Sequence, residues 1–156
     1  MRKYAIAAIS VVVTALPGAA GAQRGERMET VFRCALRNGK SVEVISQGGN
    51  LLYHYGTGAR RELSLRGSAR SGNVFSMRQR YAGPELQLRF ASEGYSYIVY
   101  SMEPNRQAGA NGVAGLVVMR GHRRVGDYSC RRYTEFHAGF ELIDTLPQDS
   151  DTYTAM

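Results

Sequence analysis

The stretch Val74-Phe75-Ser76-Met77-Arg78-Gln79-Arg80-Tyr81-Ala82-Gly83-Pro84-Glu85-Leu86-Gln87-Leu88-Arg89-Phe90-Ala91 decides the fold class of this chain. Apolar and polar residues alternate on both sides of Ala82-Gly83, which is the pattern of two antiparallel strands joined by a turn. Pairing Arg80 with Glu85 sets Phe75 opposite Phe90, Met77 opposite Leu88, Arg78 opposite Gln87 and Ser76 opposite Arg89. This register predicts one apolar face and one basic, polar face, with Arg78, Arg80 and Arg89 in a single guanidinium patch and Glu85 beside Arg80.

Working outward, the same period of two recurs in short runs separated by glycine-bearing turns, at 30–37, 40–47, 51–55, 61–66, 94–102, 113–120 and 123–130. In the first run Phe32, Cys34 and Leu36 share one side while Arg33, Ala35 and Arg37 share the other. Arg37-Asn38-Gly39-Lys40 reads as a three-residue loop in which Gly39 supplies the left-handed residue, and that length keeps Cys34 and Val42 on one face. The run 113–120 is apolar on both sides until Arg120 and should be covered on both. About eight to nine short strands at this spacing predict an all-β domain, a small antiparallel barrel or sandwich. Its expected core contains Phe32, Leu36, Leu63, Leu65, Phe75, Met77, Leu88, Phe90 and Val117.

After the strands, Phe136, Phe140 and Ile143 fall at helical spacing within 134–145, so a short C-terminal helix should pack on the sheets. Gly139 weakens that helix, and 147–156 reads as a disordered end. The longest loop is 103–112.

The N-terminus has the three parts of a secretory signal peptide. Arg2 and Lys3 precede an apolar run too short to span a bilayer, and Ala20-Gly21-Ala22 closes it with small residues. Cleavage between Ala22 and Gln23 is expected, which divides the chain into a signal peptide (1–22), an arm (23–29), a β domain (30–134) and an acidic helix and tail (135–156). The expected location is the periplasm of a Gram-negative bacterium, or the exterior, with no transmembrane segment once the signal is removed. In an oxidising compartment the two cysteines, Cys34 and Cys130, should form one disulfide. A disulfide brings α-carbons within about 7 Å, so the first and last strands would lie side by side in a nearly closed barrel.

Charge is divided along the mature chain. Residues 23–134 hold 18 basic and 8 acidic side chains, and all but one of the bases are arginines. Residues 135–156 hold five carboxylates and no Lys or Arg. A basic body draws anionic partners or its own acidic tail.

Catalytic signatures are missing. The three histidines, His54, His122 and His137, match no metal-ligand spacing, and the chain lacks G-x-S-x-G, H-E-x-x-H and C-x-x-C. The glycines at 109, 112 and 115 lead into a strand, without the helix N-terminus that a phosphate site needs. No enzyme activity, cofactor or metal is therefore expected. The tyrosines of 95–100 amid arginines could stack nucleic acid bases, but export removes nucleic acid as an expected partner.

Several of these residues resemble the small periplasmic inhibitors of C-type lysozymes, the MliC/PliC family. The matching stretches are Phe32-Arg33-Cys34, Ser71-Gly72-Asn73-Val74-Phe75, Ala82-Gly83-Pro84-Glu85 and Cys130. Phe75 stands where that family has tyrosine and Ala82 where it has lysine, and 94–120 looks like an added pair of strands. The resemblance implies a non-enzymatic exported binding module that inhibits a lysozyme-like cell-wall hydrolase. Ser71, Gly72 and Phe75 would then belong to the partner-binding loop, with Arg78 or Arg80 replacing the lost lysine. The alternative from the residues themselves is electrostatic binding of an anionic envelope polymer through Arg33, Arg37, Arg78, Arg80 and Arg89.

Overall fold

The computed structural model describes residues 27–80 and 83–150. The signal segment with its expected cleavage site at Ala22 and Gln23, most of the arm, the turn residues 81–82 and residues 151–156 lie outside the described residues.

Among the described residues there are nine strands: β1 (Glu29–Ala35), β2 (Ser41–Gln47), β3 (Asn50–Thr57), β4 (Arg60–Gly67), β5 (Val74–Arg80), β6 (Pro84–Ser92), β7 (Tyr95–Met102), β8 (Val113–Arg120) and β9 (Arg123–Ser129). They form two antiparallel meanders, β1-β2-β3-β4 and β5-β6-β7-β8-β9, stacked as a small β sandwich. The expected all-β class and every expected strand are present. The reason is local: strongly alternating runs broken by glycine have few other ways to bury one side. No helix among the described residues is long and apolar enough to cross a membrane.

The β1–β2 turn has the expected three-residue loop. Leu36 N–H donates to the Lys40 carbonyl, Gly39 sits at φ 86°, and Cys34 lies opposite Val42. Cys34 is bonded to Cys130 with α-carbons 5.6 Å apart. Beside that bond Arg37 N–H donates to Ser129 O (3.0 Å) and Arg131 N–H to Ala35 O (2.7 Å). The first and last strands thus meet, and the two sheets join along one side.

The core between the sheets is built by Phe32, Val42, Val44 and Tyr53 from the first sheet and Val74, Leu88, Phe90, Val99 and Leu116 from the second. Leu63 and Leu65 pack against its margin, and Phe32 lies against Phe136 with ring centroids 4.9 Å apart. The Tyr53 hydroxyl is buried without a hydrogen-bond partner, and burial raises its pKa well above the ordinary value. An unsatisfied buried hydroxyl is costly, so Tyr53→Phe is expected to stabilise the fold by about 1 kcal/mol in urea denaturation. A loss of stability in that variant would show that the hydroxyl is bonded.

The β5–β6 register differs from the expected one by one residue. Arg80 pairs with Pro84, Gln79 with Glu85, Met77 with Gln87 and Phe75 with Arg89. Val74, Ser76, Arg78 and Arg80 therefore share a side with Leu86, Leu88 and Phe90, whereas Phe75 and Met77 share the opposite side with Glu85, Gln87 and Arg89. A single-residue shift moves a whole strand's side chains to the other face. The expected register assumed that one side of this hairpin is wet. In fact β6 is buried on both sides, including Glu85 (4% exposed), Gln87 (3%) and Arg89 (9%). Apolar residues are thus tolerated on either face, and alternation alone no longer selects the pairing. Phe75 and Met77 consequently lie outside the inter-sheet core, and so does Val117, whose side is set by its pairing with Ile98 on β7. Val117 instead joins Ile98 and Tyr100 in a second apolar cluster on the outward side of the sheet.

The expected helix is a single short turn, α1 (Phe140–Asp144), entered from Gly139 at φ 73°. A Cβ at Gly139 would come within 2.8 Å of Val31 Cγ2, so glycine here permits both the left-handed entry and the close approach to β1. Ile143 is the buried anchor of the turn, and Phe136 reaches the core ahead of it.

The expectation of disorder from 147 onward is corrected for 147–150. Ser76 N–H donates to Pro147 O (3.0 Å) and Asp149 N–H to Ser76 O (2.8 Å), a parallel pairing on the free edge of β5. That pairing covers backbone groups which an edge strand would otherwise expose. The acidic tail does fold back on the basic body, through Asp144 and Asp149.

Candidate functional site

The register displaces the expected arginine patch. Arg89 stands on the outward side of β6, away from Arg78 and Arg80, with its guanidinium 4.2 Å from the centre of the half-buried Phe75 ring. Its Nε and Nη2 donate to the two Asp149 carboxylate oxygens at 2.7 Å each. This forked, buried pair fits guanidinium geometry. Removing one partner of such a pair strands the other charge, so Asp149→Ala is expected to cost about 3 kcal/mol in urea denaturation. A loss below about 1 kcal/mol, the range of exposed pairs, would contradict that placement.

Arg78 and Arg80 remain together at the end of β5. Arg78 donates to Asp144 (2.7 Å) and lies over the Phe140 ring at 5.9 Å. Arg80 is exposed and has no ionic partner among the described residues. Glu85 does not face Arg80; its carboxylate accepts from Gln79 Nε2 (2.7 Å) and Gln87 Nε2 (2.6 Å). Two amide donors satisfy a buried carboxylate that would otherwise be costly.

These residues border a half-open cleft of about 450 Å³ between the β5–β6 hairpin, the end of β7 and the segment leading to α1. Arg78 and Arg80 supply its cationic edge, while Glu103 and Glu135 supply exposed carboxylates. Phe136 and Phe140 provide aromatic surface, and Phe140 is 42% exposed, one of few large apolar side chains left open to solvent among the described residues. The arrangement offers forked donors, separate carboxylates and an apolar contact within one hollow, which suits recognition of a mixed polar and apolar surface.

Ser71 and Gly72 lie elsewhere. The Ser71 hydroxyl accepts from Ser68 N–H (2.7 Å) and donates to Ser68 O (2.9 Å), and Asn73 Nδ2 holds Arg66 O at 3.0 Å. Gly72 adopts φ 65° in this turn. The loop opens β5 at Val74, whereas Arg80 closes it. Seven residues of strand, about 20 Å, separate the two ends. Ser71 and the arginines therefore do not converge on one site.

Among the described residues no three His, Cys, Asp or Glu side chains are grouped to hold a metal. His54 Nδ1 lies 3.0 Å from Ser64 Oγ on the outer side of the first sheet, and burial followed by Arg61 lowers its pKa. Sequence reasoning missed Glu103 and Glu135 as site residues, because their juxtaposition depends on how the C-terminal segment crosses the sandwich. Phe136 and Phe140 are legible from their spacing, but as helix residues.

Comparison of the chain with protein-family models, with curated proteins and with solved structures finds no match.

Proposed function

We propose that this protein is a non-enzymatic, exported binding module that recognises a protein partner, a lysozyme-like cell-wall hydrolase, through the cleft at the end of the β5–β6 hairpin. The observation that carries this reading is the mixed composition of the cleft, where Arg80, Glu103, Glu135 and Phe140 offer both charges and an open aromatic ring. The folded-back tail supports it further. C-type lysozymes are basic, and the basic body alone would repel them, but the cleft presents carboxylates at Glu103 and Glu135. The resemblance in the Cys34 and Gly83 stretches supports the choice of target, while the Ser71 loop, at the other end of β5, stands outside this cleft.

The polymer-binding reading loses much of its surface. Arg33 is paired with Glu43, Arg78 with Asp144 and Arg89 with Asp149. Arg37 and Arg80 remain, and they stand at opposite edges of the second sheet, beside β9 and on β5.

The two readings separate in a binding titration against immobilised C-type lysozyme and immobilised dextran sulfate over a range of salt. The proposal predicts saturable lysozyme binding that weakens when Arg80 is replaced by alanine, with only weak, steeply salt-dependent retention on the polyanion. Tight polyanion binding without lysozyme binding would overturn it.

A further inference from the structure

The edges of β4 and β5 are treated differently. The edge of β5 is met by residues 147–149, where Ser76 N–H donates to Pro147 O (3.0 Å) and Asp149 N–H donates to Ser76 O (2.8 Å). β4 is the last strand of the first sheet and pairs with β3 alone, and among the described residues no segment pairs with its other side. Asn73 Nδ2, from the loop ahead of β5, donates to Arg66 O (3.0 Å), so that carbonyl points away from β3. Backbone direction alternates along an antiparallel strand, so Ser64 likewise turns its N–H and C=O off the sheet, while Leu63 and Leu65 turn theirs to β3. Ser64 thus presents on β4 the pair of groups that Ser76 uses on β5.

This edge is strongly cationic. Arg60, Arg61 and Arg66 of β4 and Arg70 just after it are exposed, and none has an ionic partner among the described residues. Glu62 is the only acidic side chain in 60–70, and it is held by Lys40. A second copy is a poor occupant, because two such edges laid together would oppose arginine to arginine. An extended acidic segment suits both features, since its backbone continues the ladder and its carboxylates meet forked donors. The molecule uses that chemistry on itself, where the segment paired with β5 carries Asp149 to Arg89.

We propose that the β4 edge is a docking site for an extended acidic segment of a partner polypeptide, added as a strand beside β4. Ser64 and Arg66 N–H supply backbone bonds, and Arg60, Arg61 and Arg66 hold the carboxylates. The edge belongs to the first sheet and the cleft hairpin to the second. A basic enzyme would be repelled here, so the two sites take different partners.

The test titrates the disulfide-closed chain with a labelled peptide of alternating glutamate and threonine. Fluorescence anisotropy is expected to show saturable binding, about tenfold weaker for the combined Arg61→Ala and Arg66→Ala variant and for a peptide N-methylated at alternate residues. Bound peptide should also slow hydrogen exchange at the Ser64 and Arg66 amides about tenfold, with Leu63 and Leu65, already in the ladder, unchanged. Absence of binding would overturn the proposal, as would binding that the arginine variant retains in full. So would binding that N-methylation leaves intact or that leaves the Ser64 and Arg66 amides unprotected, either of which would reduce the edge to a general polyanion surface.

Discussion

Replacing Leu88 with alanine is expected to cost about 2–5 kcal/mol, a large part of the stability of a domain this size. Leu88 is 0% exposed and sits between Ser76 and Val99 on the inward side of the second sheet, facing the core that Tyr53 and Phe32 close from the other sheet. Truncation there removes transfer free energy and leaves a cavity that two cross-strand neighbours and an opposing sheet cannot easily fill. Urea denaturation would show the midpoint falling with the slope unchanged. A loss below about 1 kcal/mol would mean that Leu88 does not face the inter-sheet core.

Opening the Cys34–Cys130 disulfide should have a comparable effect. The bond closes a sequence separation of 96 residues, for which the chain-entropy model gives about 4–5 kcal/mol. It also holds β1 against β9, where the backbone contributes the Arg37–Ser129 and Arg131–Ala35 hydrogen bonds beside it. The double variant Cys34→Ala, Cys130→Ala is expected to melt roughly 15 °C lower than the parent. Melting within a few degrees of the parent would show that the backbone bonds alone keep the two sheets joined.

Much of the fold is legible in the sequence because strand identity is a local property. The alternation of Phe32, Cys34 and Leu36, the Asn38-Gly39 turn and the two-sided apolar run of β8 each specify their own segment. Pairing register is not local in the same way. In β5 and β6 both faces are buried, so Phe75 and Met77 gain shelter on the outward side as readily as on the inward one. On the outward side Phe75 lies under Arg89, which is held by Asp149, 60 residues away, a contact that no local pattern announces. The candidate site is illegible for the same reason. Arg80 stands out in a basic hairpin, but Glu103 comes to it through the β6–β7 pairing, where its N–H donates to Pro84 O, and Glu135 and Phe140 only through the path of a C-terminal segment that reads as an end rather than as a layer.

The proposed role of the cleft is tested most directly by a cell-wall lysis assay. A C-type lysozyme would be titrated with the protein and with a variant carrying Glu103→Lys and Glu135→Lys, after both are shown to melt at the same temperature. The prediction is that the parent suppresses lysis in a saturable, stoichiometric manner and that the charge-reversed variant loses most of that effect, more at low salt than at high, because its cleft now repels a basic enzyme. Lysis unaffected by the parent, or suppressed equally by the variant, would contradict the assignment of the cleft.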